Sequence, residues 1–256
     1  MTQTILQNHS GEAADAVGLP LSEQAYRLIR KAILIGHIEA GARLKMDELQ
    51  RAYDVSSSPL REALNRLSAE GLVDLDERRG FRAAAISAED LRDITAFRLN
   101  IECAALAESI DRGDVDWEAE ILAAFHRLTR YDSREVGQGE LPSEEWTVRH
   151  KAFHMALIGC CSSGRQLAAC SSLFDQAERY RRLSVAWRKT KRDSVGEHRR
   201  IMEAALDRDA GRASALLREH IEKTSDHVAE MLPFRLAGSE GTAGRRRRRA
   251  ERQPTE

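Results

Sequence analysis

The chain has 256 residues, 42% of them hydrophobic, and a formal net charge of -1, which allows one large core or two ordinary ones and gives no global basic signal for nucleic acid. No run of about 18 apolar residues occurs, so a membrane-spanning helix is excluded, and the first twenty residues lack the basic and apolar segments of a secretion signal. Cys103, Cys160, Cys161 and Cys170 form no CxxC pair, so buried thiols in a reducing cytoplasm are expected.

Residues 1–20 are polar and aperiodic and read as a flexible arm. From Leu21 the apolar residues Ala25, Leu28, Ile29, Ala32 and Ile33 line one face of a first helix, which Gly36 ends. Residues 38–44 read as a turn and a short extended piece. A second helix starts at Asp47 and runs to Tyr53, and Asp54-Val55 forms a tight turn. Ser56, Ser57 and Ser58 then open a third helix, in which Pro59 is tolerable only because it falls in the first turn. Leu60, Ala63, Leu64 and Leu67 give this helix its apolar face, leaving Ser57, Ser58, Arg61, Asn65 and Arg66 outward. Hydroxyls and an arginine on a helix start suit a DNA major groove, where hydroxyls meet phosphates or bases and Arg grips a guanine edge. The plainer alternative is an ordinary amphipathic surface helix. Gly71 closes the helix, and residues 72–75 and 81–84 read as the two strands of a hairpin. Three helices followed by a hairpin are the order of a winged helix-turn-helix, over residues 21–87.

Several stretches here, Gly41-Ala42-Arg43-Leu44, Val55-Ser56-Ser57-Ser58-Pro59-Leu60-Arg61-Glu62-Ala63-Leu64, Glu70-Gly71-Leu72-Val73 and Arg78-Arg79-Gly80-Phe81, resemble the GntR-type DNA-binding domain. The resemblance implies operator contacts from Ser56, Ser57, Ser58 and Arg61, with Arg79 and Gly80 at the wing tip. Many relatives carry Arg at the position of Ser57 and Thr at that of Ser58, so the operator sequence is not transferable. Residues 21–86 hold eleven basic against ten acidic side chains. Affinity is therefore expected from a few placed arginines and from dimerisation on a pseudo-palindromic operator.

Ser87-Ala88-Glu89-Asp90 has the form of a capping box and opens a long helix carrying Leu91, Ile94, Phe97, Arg98, Ile101, Ala105, Leu106 and Ile110. Further helical patterns cover about 117–131, 143–160, 166–187, 193–206 and 209–232, with a Gly- and Glu-bearing connector at 133–142. No strand is expected beyond the wing, so the fold class is mainly α: a winged helix-turn-helix, then an all-helical bundle over residues 88–237. Residues 238–256 are Gly-rich and carry Arg245 to Arg249, and five adjacent like charges predict a disordered basic tail.

Of eight histidines, His150 and His154 share a helix face at four-residue spacing, while His198 and His220 lie on the last two helices of the bundle. Imidazoles on facing helices form sites for zinc and related ions; separate, individually satisfied histidines are the alternative. Phe153-His154-x-x-Leu157, Glu197-His198-x-x-Ile201 and Glu219-His220-Ile221 resemble the FCD effector domain of the FadR branch of GntR regulators, many of which bind a divalent metal through an Asp and three His. The resemblance maps those histidines to His154, His198 and His220. His150 stands where the Asp is usual, which removes a negative charge and favours an anionic effector as an additional ligand. Zinc is the expected ion, with nickel or manganese as alternatives.

Arg98 occupies a helix position where the family commonly has an Arg facing the ligand cavity, and it is read as a fork for an effector carboxylate. A structural pair with Glu102, one turn on, is the competing role. Arg179-Tyr180-Arg181-Arg182-Leu183-Ser184 resembles the CsiR-like repressors that respond to glutarate, implying a C4–C5 dicarboxylate as effector. The expectation is a cytoplasmic, homodimeric, ligand-responsive repressor whose effector shifts the population of operator-competent forms. A metal-dependent hydrolase is the alternative class, disfavoured by the absence of an HExxH helix and by Glu197 pointing away from His198. A third class is a DNA-binding regulator without a metal.

Overall fold

The computed structural model describes residues 18–76, 80–135, 143–185 and 193–250; for 131–135, 183–185 and 231–250 only the backbone is described. It divides into two compact units, one up to Ile86 joined by Ala168–Arg179, the other Ser87–Leu167 with the chain from Tyr180 onward.

The first unit contains α1 (Leu21–Leu34), β1 (Arg43–Leu44), α2 (Met46–Tyr53), α3 (Ser57–Ala69), β2 (Val73–Asp76) and β3 (Gly80–Ala83). Apolar residues at three- and four-residue spacing bury Ala25, Ile29, Ala32 and Ile33 of α1 against Leu60, Ala63, Leu64 and Leu67 of α3. Gly36, at φ 79°, turns the chain out of α1. Asp54 ends α2 in the left-handed region at φ 52°, a conformation its short polar side chain tolerates better than most. Asp54, Val55 and Ser56 separate the two helices of the helix-turn-helix. The hairpin pairs Val73 with Ala83 and Asp76 with Gly80. The short extended piece anticipated near residue 44 becomes a third strand, Arg43 and Leu44 pairing with Arg82 and Phe81, so β3 is central in the order β1-β3-β2.

Residues 168–179, assigned by sequence to the bundle, cluster instead with this first unit. Ser172 Oγ and Gln176 Nε2 both donate to the Glu70 carbonyl, at 3.1 and 2.8 Å. That carbonyl lies at the end of α3, where the helix itself provides no N–H donor for its last C=O groups. Asp175 pairs with Arg30, and Arg179 donates to the Ala84 carbonyl. Helical periodicity marks an apolar face but not the surface it meets, so the sequence carried no sign of this placement.

The second unit holds α4 (Ala88–Arg112), α5 (Val115–Glu135), α6 (Glu144–Leu157), the ends of α7 (Gly164–Val185), α8 (Ser194–Leu206) and α9 (Ala210–Ala250). Ser87 Oγ accepts the Asp90 amide at 3.0 Å and starts α4 as the capping box predicts. The buried stripe of α4 runs through Leu91, Ile94, Arg98, Glu102, Ala105 and Leu106, whereas Phe97 is 52% exposed. α4 packs on α9, α5 on both α6 and α8, and α8 on α9. The expected disordered tail from residue 238 is helical through Ala250. Extending an existing helix avoids the nucleation cost, and Arg and Ala are good helix formers. Residues 251–256 lie outside the described residues, as does the arm up to residue 17. No helix among the described residues is long and apolar enough to cross a membrane, and all four cysteines are free thiols.

Gly71 tests the contribution of residues 168–179. Gly36 and Gly71 both have positive φ, but a Cβ at Gly36 meets nothing within 4 Å, while one at Gly71 lies 2.8 Å from Gln176 Nε2. Gly36→Ala is expected to cost about 1 kcal/mol for the left-handed backbone. Gly71→Ala should cost about 1 kcal/mol more, because Gln176 must release the Glu70 carbonyl. Urea denaturation of the two variants measures the difference; equal losses would show that the Gln176 bond adds nothing.

Candidate metal centre and nucleic-acid interface

On the first unit, Ser56, Ser57, Ser58 and Arg61 are all exposed at the start of α3. Ser56 is the N-cap residue by backbone geometry, yet its hydroxyl accepts no first-turn amide, so capping is not what occupies it. Gly80 is exposed at the start of β3, with φ 77°. Arg79 lies outside the described residues. Arg66, counted among the outward residues by sequence, is held by Glu23 at 2.7 Å and stacks 3.9 Å above the Tyr26 ring. Glu70 in turn accepts from the Tyr26 hydroxyl at 2.7 Å. Arg66 is thereby committed to bracing α3 on α1, and Arg61 remains the cation presented from the first turns of α3.

In the second unit the four histidines converge. His150 and His154 leave α6 on one face, His198 comes from α8 and His220 from α9, and all are buried. One ligand atom from each lies within 4.8 Å of the others. The Nε2 atoms of His150, His154 and His198 form a triangle with edges of 3.1, 3.2 and 3.4 Å. Nitrogens placed tetrahedrally at zinc–nitrogen bond lengths of about 2.0–2.1 Å stand roughly 3.3 Å apart, so the triangle has the size of a ligand set. The histidines outside this group are dispersed: His37 and His126 are exposed, His227 is half-buried, and His9 lies outside the described residues.

Burial pushes the pKa values of His150 and His154 well below the usual imidazole value, and the neighbouring imidazoles push in the same direction. Both rings are therefore neutral near pH 7 and keep the lone pair that a metal needs. Arg98 and Arg181 contribute further to the depression at His154, which puts both cations within the field of the cluster.

The surroundings hold these rings in place. Trp146, one turn before His150, stacks on it with centroids 4.4 Å apart, and Arg181 lies 4.1 Å above the same indole. Phe153 packs edge-on against His154 and His198 and tilts against Phe125. At the start of α8, Asp193 accepts the Gly196 amide at 2.9 Å, and a Cβ on Gly196 would fall 2.0 Å from that carboxylate. A side chain at this position would require the Asp193 carboxylate to shift, so the glycine leaves room for the cap that sets where Glu197 and His198 emerge. Glu197, read from sequence as pointing away from His198, reaches across to His220, with Oε2 2.8 Å from Nδ1. Neither this contact nor the Trp146 stack was found by sequence reasoning, although four-residue spacing from Trp146 to His150 was a usable sign.

Arg98 is buried and forked onto Glu102, with Nε to Oε1 at 2.6 Å and Nη2 to Oε2 at 3.2 Å. The structural pairing considered from the sequence is therefore present. The fork engages two of the five guanidinium donors.

Two family models match the chain: "Bacterial regulatory proteins, gntR family" over residues 21–82 and "FCD domain" over residues 93–223. The HTH-type transcriptional regulator BphR of Paraburkholderia xenovorans is 37% identical, with 85% of this chain and 91% of that protein covered. The HTH-type transcriptional repressor GlaR of Escherichia coli is 36% identical over 78% of this chain and 92% of its own length. Among solved structures, Escherichia coli McbR/YncC superposes with a TM-score of 0.68 at 17% identity, covering 84% of this chain and 99% of that one. A GntR transcriptional regulator from Rhodococcus sp. RHA1 gives 0.65 at 21% identity, over 81% and 96%. At these identities the structures speak to the fold alone.

The Arg98–Glu102 pair is buried on both sides, with side chains 10% and 6% exposed. Truncating either to Ala strips a buried charge of its forked partner and is expected to cost about 3–5 kcal/mol. The double variant should lose clearly less than the sum, giving a coupling measurable by urea denaturation. Additive losses would mean that the two residues act independently.

Proposed function

The chain belongs to the gntR family of bacterial regulatory proteins, with an FCD domain as its second module, and we propose that it is a homodimeric, cytoplasmic repressor that binds a divalent metal and a small carboxylate effector. The observation that carries this reading is the buried triangle of Nε2 atoms with His220 beside it. Neutral imidazoles facing one another at this spacing are poor neighbours, because no more than one proton can lie between any two, and a cation removes the conflict. His150, His154, His198 and His220 would hold zinc, with nickel or manganese as alternatives. When bound, the ion supplies an uncompensated positive charge, which suits an anionic partner.

Arg98 and Arg181 add positive potential around the cluster, and Arg98 brings the planar fork that matches a carboxylate. A C4–C5 dicarboxylate such as glutarate has two such groups at a separation suited to two cationic points. On the DNA side, Arg61 is the residue assigned to a base edge and Ser56, Ser57 and Ser58 to phosphates or bases, with Arg79 and Gly80 at the wing. Two copies on a pseudo-palindromic operator compensate for a nearly neutral reading unit, since the second half-site binds intramolecularly. Repression is favoured over activation by the likeness to the repressor GlaR. A hydrolase is disfavoured because Glu197, beside the cluster, is engaged by His220 and is not poised as a base.

Metal analysis of purified protein is expected to find about one zinc per chain, and a thermal-shift screen should show glutarate raising the melting temperature only of the metal-loaded form. Protein with neither metal nor carboxylate response would instead be a DNA binder whose bundle serves only assembly. Arg98→Lys keeps the charge but loses the fork, and should weaken carboxylate binding about tenfold or more by calorimetry; unchanged affinity removes Arg98 from the site. Arg61→Ala should lower operator affinity about 10–100-fold while leaving the melting temperature in place, because the side chain is exposed.

A further inference from the structure

His220 has a carboxylate standing behind it. Its Nδ1 lies 2.8 Å from Glu197 Oε2, and both side chains are nearly buried, at 8% and 11% exposure. An ionised carboxylate can only accept, so the ring proton is on Nδ1 and the lone pair on Nε2. We propose that Glu197 is a positioning residue for the metal centre: it fixes the His220 tautomer and orientation, and supplies the negative charge that four imidazoles lack. The inference rests on the metal-binding reading above.

The charge arithmetic gives the residue its weight. Four neutral imidazoles leave a divalent ion at +2, whereas a set containing one carboxylate leaves +1. With His150 among the four, no carboxylate belongs to the cluster itself. Glu197 restores one negative charge from behind His220, and a carboxylate hydrogen-bonded to a ligating imidazole also strengthens it as a donor. One positive charge is then left for an effector carboxylate. Helix placement makes this possible: Glu197 and His198 are adjacent on α8, so their side chains diverge by roughly 100°, one into the cluster and the other toward α9.

A purely structural role competes with this. Glu197 also lines a surface depression with Arg200, Leu216, Glu219, His220 and Lys223, where two cations could account for its charge. Glu219 serves as the internal control, since it flanks His220 in sequence but is half exposed and paired with Lys223.

The test measures zinc affinity of the full-length protein by competition with a chromophoric chelator. Glu197→Gln should bind about 10–100-fold more weakly than wild type, Glu197→Asp should recover part of the loss by keeping the charge, and Glu219→Gln should match wild type. In the metal-free protein, the downfield His220 Nδ1–H proton resonance should be present in wild type and shifted or lost in Glu197→Gln. Wild-type zinc binding with equal affinity in Glu197→Gln overturns this inference and leaves the metal reading standing. A variant that melts earlier without metal yet binds zinc as tightly also overturns it, making Glu197 a packing residue. Wild type that takes up no zinc overturns both readings together.

Discussion

Crowding of imidazole nitrogens in a space that water does not reach is the constraint around which the second unit is arranged. Three helices, α6, α8 and α9, must present rings from different directions to one point. Burial keeps His150 and His154 uncharged, so the point collects lone pairs instead of positive charge. Much of the nearby packing follows from that demand. Trp146 and Phe153 give the rings flat walls, and the Asp193 cap, seated over Gly196, marks where α8 begins. The buried stripe of α4 accordingly contains Arg98 and Glu102 where an ordinary core helix would carry leucines.

The first unit follows the opposite logic. Its interior is almost wholly aliphatic, with Ile29, Leu60, Leu64, Leu67 and Leu72 fully buried, and its charged side chains are spent on tying helices together. Glu23, Arg66, Tyr26 and Glu70 form one such tie. What remains exposed at the start of α3 is small and hydroxylic apart from Arg61 and Glu62. A surface of this kind discriminates by fit and hydrogen bonding more than by bulk attraction.

Local chemistry was readable from the sequence; partnership was not. Gly36, Asp54, Gly71 and the capping box at Ser87 each fix a backbone event within a few residues, so the winged helix-turn-helix emerged in order from its turns. The face shared by His150 and His154 followed from helix geometry. That His198 and His220 join them came from family likeness, because spacing alone does not say which helices face each other. Phe97 and Arg98 illustrate the limit: the sequence sets both on one helix without saying which faces in, and the bundle leaves the phenylalanine half exposed and buries the arginine beside Glu102. The partner of Glu197 escaped for a related reason. The direction of Glu197 relative to His198 was sound, but its partner on α9 is 23 residues away. The helical course of residues 238–250 escaped because glycines and clustered arginines argue against starting a helix, not against prolonging one.

Residues 168–179 carry a consequence for how such regulators diversify. Ser172 and Gln176 both serve the carbonyl that ends α3, and Asp175 meets Arg30 of α1. A chimaera built by splicing residues 1–86 onto a foreign bundle would leave that carbonyl without its two side-chain donors and Arg30 with only Glu70 of its two carboxylates, however carefully the junction were chosen. Recombination between relatives would therefore succeed most readily when two separated stretches are exchanged together, and the reading head is inherited as a discontinuous module.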